Sequence, residues 1–386
     1  MKKWIGRIFY VLTFALFATG IYHYQVSKHP SPQPTITTPP TQQKPVVMES
    51  ELSLLMSGDA LLHNTVYADG KTGTGYDFHP QVELIAPISK KYDLSYYNQE
   101  TRLGGTALGL SSYPMFNSPQ EWGTAMIDAG FNLISTANNH SLDKGEAGIL
   151  AERAFLDQQK GIVTAGTYTS KEEQEKITIH EKNGIKYAFF SWTYGMNGLQ
   201  TPKGKEYLVN CYDGHEEEML QQIQEAKKQA DVVLVAMHWG IEYQTTPSIE
   251  QRRLAKALAD AGADVIIGNH PHIIQPIEWL NEHKTLCVYA LGNLISDQYN
   301  RDSSMSGLLA GITIHKKSVD GQTSIELKDL RTQFIYTLAK PVHHNFKITP
   351  YSQLSLAQYP NKTAMEAKLT SILQSLDPSI PINNLN

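Results

Sequence analysis

The sequence predicts an α/β fold, and three observations carry that reading. Short aliphatic runs alternate with helix-like segments from about residue 51 to 300. The helix-like segments have recognisable ends, and polar residues suited to chemistry stand directly after several of the aliphatic runs. At 386 residues the chain can build one large domain or two ordinary ones. Its 41% hydrophobic and 18% charged residues are those of a globular protein, and a net charge of -5 argues against a general nucleic-acid binder.

Four regions follow from composition. Residues 1–26 read as a signal-anchor: Lys2, Lys3 and Arg7 precede the apolar stretch from Ile8 to Tyr22, and no A-x-A cleavage site follows. Basic residues ahead of the stretch predict a single-pass cell-membrane protein whose C-terminal domain is extracytoplasmic. Residues 27–48, rich in Pro, Thr and Gln, read as a linker. Residues 49–345 form the main domain, and 346–386 a C-terminal helical extension with a helix from about Tyr351 to Leu376.

The expected strands, in order, are "ELSLLMSGD", "YDLSYYNQE", "FNLISTANNH", "GIKYAFFSW", "DVVLVAMHWG", "DVIIGNHPH" and "TLCVYALGN". Asp143 with Glu146 reads as a capping box, and Gly161 as the close of the helix that follows. Thr246 before Pro247 reads as an N-cap, and Gly262 as the matching C-terminus. Beyond Leu308, "LLAGITIHK", "TSIELKDLR" and "TQFIYTLA" read as further strands. Cys211 and Cys287 have no zinc-finger spacing and read as free thiols, so a metal site must draw on His, Asp, Glu or Asn.

Strand ends deliver Asp59, Glu100, Asn139 with His140, His238, and His270 with His272 to one edge, where open α/β sheets form their ligand crevice. Taken singly, Asp59 is an ordinary turn residue, Asn139 a residue that tolerates left-handed backbone, and His238 a half-buried side chain. Taken together they are a mixed oxygen and nitrogen donor set that suits Mn, Fe or Zn, and hydrolases use pairs of such ions. A bridging carboxylate holds two cations close while offsetting their repulsion. Glu100 is the candidate, with Asn98 and Gln99 able to add hydrogen bonds.

The motifs "SGDALLH", "NQET", "STANNHSLDKGEAGI", "HWGIEY", "ADAGADVIIGNHPHIIQPIE" and "VYALGNLISDQ" resemble, in this order, those of the CapA-like poly-γ-glutamate capsule-synthesis proteins, whose fold is that of the calcineurin-like metallophosphatases. The resemblance implies a four-layer α-β-β-α sandwich. It implies Asp59, Asn139, His238, His270 and His272 as ligands of two divalent ions bridged by Glu100, and His140 as the catalytic histidine near the leaving group. Glu242 and Asn293 are second-tier candidates that orient those histidines. The chain departs from the family in "NQE" for "NLE", in "GNHPH" for "GHHPH", and in lacking the Asp-x-His opening, since Ala60 and Leu61 follow Asp59 and leave His63 out of step.

Two functions compete at this point. One is a metal-dependent hydrolase acting on a phosphoester or on an amide of an anionic polymer; the other is a non-catalytic accessory subunit of a membrane polymer-synthase or export complex. A third reading makes a carbohydrate groove from "GTGYDF" and the stretch from Thr193 to Gly214. No Gly-rich phosphate loop or nucleophile elbow is present.

Overall fold

The computed structural model describes residues 46–385, so the expected signal-anchor and most of the linker lie outside the described residues. No helix among the described residues is long and apolar enough to cross a membrane.

The larger sheet contains β1 (Val47–Ala60), β2 (Leu94–Gln99), β3 (Leu133–Ser135), β4 (Val163–Ala165), β11 (Asn293–Ile295), β12 (Ser306–Val319), β13 (Gln322–Leu338) and β14 (Lys347–Pro350). Its order is β14-β13-β12-β1-β2-β3-β4, with β11 beside the end of β1. The run from β1 to β4 is parallel, whereas β12, β13 and β14 extend it antiparallel. A smaller sheet has β5 (Ile179–Lys182), β6 (Ile185–Thr193), β7 (Val232–His238), β8 (Val265–Asn269), β9 (Ile277–Leu280) and β10 (Thr285–Val288) in the order β5-β6-β7-β8-β10-β9. Every residue of β7 and β8 is buried, which explains their unbroken apolar text: parallel strands are covered on both faces.

Alternate residues along one strand enter different cores, as the two-residue period of a strand requires. Leu54, Met56 and Tyr96 of the larger sheet pack with Phe189, Leu234 and Ile267 of the smaller one, forming the core between the sheets. Their neighbours Leu55, Tyr97 and Ile134 face outward onto Trp122 and Met126 of the helix Glu121–Asp128. On the other side Ala188, Val233, Val235 and Ile266 pack under Met219 and Ile223 of Glu216–Lys227 and under Leu254 and Leu258 of Ile249–Ala261. The layers therefore run helix, sheet, sheet, helix.

Several boundaries move. β1 begins at Val47, inside the expected linker, because Val47 and Met48 pair with Val319 and Ser318. β14 pairs with β13, so the larger sheet takes residues from the expected C-terminal extension before the helix Lys362–Leu373 begins. The two strand-like runs after Gln322 are one strand of 17 residues, with Asp329 at a φ of 56° where its register with β12 shifts. Ser248, not Thr246, caps the helix Ile249–Ala261, and a reciprocal bond with Gln251 completes a capping box; Gly262 ends it at a φ of 110°, as expected. Gly161 does not close the helix Gly145–Leu156, which is capped at Asp157; it turns the chain beyond, at a φ of 77°. Phe78 of "GTGYDF" is fully buried against Trp122, which removes it from any surface groove. Both cysteines are free.

Candidate metal centre

The carboxyl ends of β1, β2 and β3 meet those of β7 and β8, and the backbone passes very close beside two of these strand ends. A Cβ at Gly58 would lie 1.8 Å from the Gly292 carbonyl oxygen, and one at Gly268 would lie 1.9 Å from that of Tyr289. Only glycine fits at either point, and each stands just ahead of a candidate ligand strand end. Asp59, Glu100, Asn139, His140, His238, His270 and His272 are all buried there.

Glu100, His270 and His272 each belong to two of three overlapping donor groups, and Glu100 is the carboxylate common to two of them. Within one group, single donor atoms of Glu100, His238 and His270 lie within 4.8 Å of one another; the same holds for Asp59, Glu100 and His272, and for Glu242, His270 and His272. Both carboxylate oxygens of Glu100 are buried with no hydrogen-bond partner among the described residues, and Nδ1 of His270 is in the same state. Burial, then the charges of Asp59, Glu242 and Asp143, push the Glu100 carboxyl well above its usual range, with Arg102 opposing them. An isolated buried carboxylate is costly, whereas one facing cations is not.

His238 and His270 are held neutral, which is the form that binds metal. Burial, then His270, His272, His140 and Arg102, hold His238 well below the ordinary imidazole range. Burial, then His272 and His140, bring His270 down to about 3. His270 and His272 have φ values of 96° and 59°, a left-handed backbone rarely taken by residues with a side chain. The His270 amide donates to Asp59 Oδ2 at 3.1 Å, and Asp59 Oδ1 accepts from Asn98 Nδ2 at 2.8 Å, so Asp59 anchors this turn.

The remaining candidates flank these groups. Asn139 Oδ1 lies 2.9 Å from His238 Nε2, about the spacing of two donors on one ion. Asn293 Oδ1 meets His272 Nδ1 at 3.1 Å, while its amide nitrogen donates to Ser296, Gln298 and the Ser304 carbonyl. Glu242 is exposed and places an oxygen 3.9 Å from His272 Nε2, so it approaches from the rim. Asp59 Oδ2 is 3.4 Å from His272 Nδ1.

Asp143 corrects the capping-box expectation. The helix Gly145–Leu156 starts after Lys144 without a side-chain cap. Asp143 Oδ2 instead accepts from the Phe116 amide and meets His140 Nδ1 at 2.8 Å, which orients the ring. Lys205 takes Glu146. His63 lies apart from the ligands: its Nδ1 accepts from the Asp297 amide at 3.2 Å, and Phe116 stands against both His63 and His140. Burial lowers it to about 4. Asp143 is the residue that sequence reasoning missed as a site member, although it stands three residues from His140.

The orphaned carboxylate, the orphaned imidazole nitrogen and the neutral His238 and His270 make a donor set that could hold a metal ion. A family model described as "Bacterial capsule synthesis protein PGA_cap" matches residues 53–298, a span that takes in all of these residues. The chain is 38% identical over 185 residues to "PGA biosynthesis protein CapA" of Bacillus subtilis (strain 168), covering 46% of this chain and 47% of that one. It is 33% identical over 189 residues to "Capsule biosynthesis protein CapA" of Bacillus anthracis, covering 47% and 44%. The matches thus span about half the length of these curated relatives. A phosphatase structure from Mycoplasma pneumoniae overlaps 75% of this chain and 95% of its own at 14% identity, with a TM-score of 0.45. The layered fold stands on the chain's own sheets and cores instead.

Proposed function

Since the chain belongs to the bacterial capsule synthesis protein PGA_cap family, we propose that it acts in capsule or poly-γ-glutamate biosynthesis as a membrane-anchored, extracytoplasmic hydrolase that uses two divalent ions. The observation that carries the reading is Glu100, a buried carboxylate with both oxygens free of hydrogen bonds among the described residues that belongs at once to the His238–His270 group and to the Asp59–His272 group. The relatives' names support the biosynthetic role. The substrate is a phosphoester or an amide of an anionic polymer, and the partner is a membrane polymer-synthase complex.

Bound divalent ions would supply Lewis acidity to the reacting centre. Asp59, Glu100, Asn139, His238, His270 and His272 would hold them, with Glu100 the carboxylate common to the two donor groups. His140, held through Nδ1 by Asp143, presents Nε2 toward the leaving group and donates a proton or a hydrogen bond there. The burial of the whole set keeps bulk water from screening these charges.

The test is hydrolysis of a generic phosphodiester and of a γ-linked glutamate oligomer by the metal-loaded full chain and by His140→Ala. Turnover that falls in the variant supports the hydrolase. Metal-loaded protein inert on both substrates supports the accessory-subunit reading, in which the same fold serves a synthesis or export complex.

A further inference from the structure

We propose that Arg301, stacked on Tyr243 at the rim of the candidate metal centre, is a subsite for a carboxylate of the substrate. Its place beside the reacting bond rests on the hydrolytic reading above; its binding chemistry does not.

Arg301 is exposed, and its guanidinium carbon sits 3.9 Å from the centre of the Tyr243 ring. That ring is half-buried and lies 6.0 Å from the ring of His272, so one aromatic side chain separates the cation from a candidate ligand. Tyr243 is fixed at both ends. Its backbone takes a φ of 64°, and its amide donates to the carbonyl of Pro271, between the two ligand histidines, at 2.8 Å. Its hydroxyl accepts from Gln298 Nε2 at 3.4 Å; Gln298 Oε1 accepts from Asn293 at 3.1 Å, and Asn293 meets His272. A chain of hydrogen bonds therefore runs from the ring under Arg301 to the centre itself.

The backbone under Arg301 is also pinned. Its amide donates to Gln298 and its carbonyl accepts from Ser304. The next residue, Asp302, accepts from Tyr359 at 2.7 Å and from Tyr336 at 3.5 Å, two rings stacked at 4.3 Å. Asp302 is thus committed to the tyrosines, and Glu242 faces His272, leaving Arg301 with no ion-pair partner among the described residues. A guanidinium stacked by its face keeps its N–H edge free, and that edge matches a carboxylate in a bidentate fork. A cation so placed selects a substrate that carries a carboxylate near the bond at the centre. The sequence presents this feature only as the unremarked "QYNRDSS".

The experiment is calorimetric binding of a γ-linked glutamate oligomer and its carboxamide analogue to the full chain, its Arg301→Gln and Arg301→Lys variants, and Arg252→Gln. The last removes the same charge from an exposed position on the helix Ile249–Ala261. We expect Arg301→Gln to weaken the glutamate oligomer about fivefold, the scale of one exposed ion pair. Metal content and the carboxamide analogue should be unaffected, Arg301→Lys should recover only part of the loss, and Arg252→Gln should bind as the wild type does. Equal losses in Arg252→Gln and Arg301→Gln, no loss in Arg301→Gln, or no binding by the wild type would overturn the subsite. Inorganic phosphate displacing the oligomer from the wild type but not from Arg301→Gln would reassign it to phosphate and overturn the carboxylate. Oligomer binding through Arg301 by protein inert on both the phosphodiester and the oligomer would keep the subsite and sink the hydrolytic reading; hydrolysis with normal binding by Arg301→Gln would do the reverse.

Discussion

Arg102 and Glu152 form a fully buried ion pair, and the same guanidinium donates to the carbonyls of Gln99 and Thr136. Those carbonyls lie just before Glu100 and just before the Asn138–His140 turn, so one side chain ties together the two loops that carry a candidate bridging carboxylate and a candidate catalytic histidine. Glu152 adds a bond from the Leu103 amide.

Glu152→Gln leaves the Arg102 charge buried without its counter-charge, and it should cost about 3–5 kcal/mol in a denaturant titration. Metal affinity should fall with it, because Glu100 loses its brace. The double replacement Arg102→Met with Glu152→Leu should cost less than the two single changes together. Additive costs would mean that the pair is not a unit.

The raised Glu100 carboxyl makes the metal-free protein sensitive to pH. The folded state keeps a proton that the unfolded chain releases above its ordinary value of 4.5. Stability from this group is therefore fully present below that value and is lost as pH rises toward the raised folded value. Glu100→Gln keeps the shape and removes the titration. With chelator present, melts between pH 4 and pH 8 should show the variant increasingly more stable than the wild type as pH rises, and saturating metal should reverse that order. A gap that does not change with pH would contradict the assignment.

Asp143→Asn changes the group that orients His140 without emptying the space. Activity should fall by a smaller factor than in His140→Ala, for which general acid–base catalysis sets a scale of about 10²–10⁴. Metal content should stay at the wild-type level in both, as measured by elemental analysis beside the kinetic assay. Loss of metal in Asp143→Asn would make it a structural residue of the centre instead.

How much of this was legible depended on range. The strands were readable because covered parallel strands need continuous apolar text, and "VVLVAMH" and "VIIGN" leave no alternative periodicity. The ligand candidates were readable because they end those strands. Asp143 was misread because its spacing to Glu146 satisfies a local capping rule, whereas His140 and the Phe116 amide compete for the same carboxylate and win. Thr246 lost the cap to Ser248 because Gln251 supplies the reciprocal bond three residues on. The Arg102–Glu152 brace and the Tyr243–Arg301 stack span 50 and 58 positions of chain, so no local pattern announces them.

The most direct test of the central claim is the metal content of the purified full chain beside Glu100→Gln and His238→Ala, with folding of each checked by its melt. The account predicts near-stoichiometric Mn, Fe or Zn in the wild type and its loss in both folded variants. Wild-type protein that takes up no divalent ion, or folded variants that retain it in full, would contradict the claim that Glu100 is the shared ligand of a metal centre.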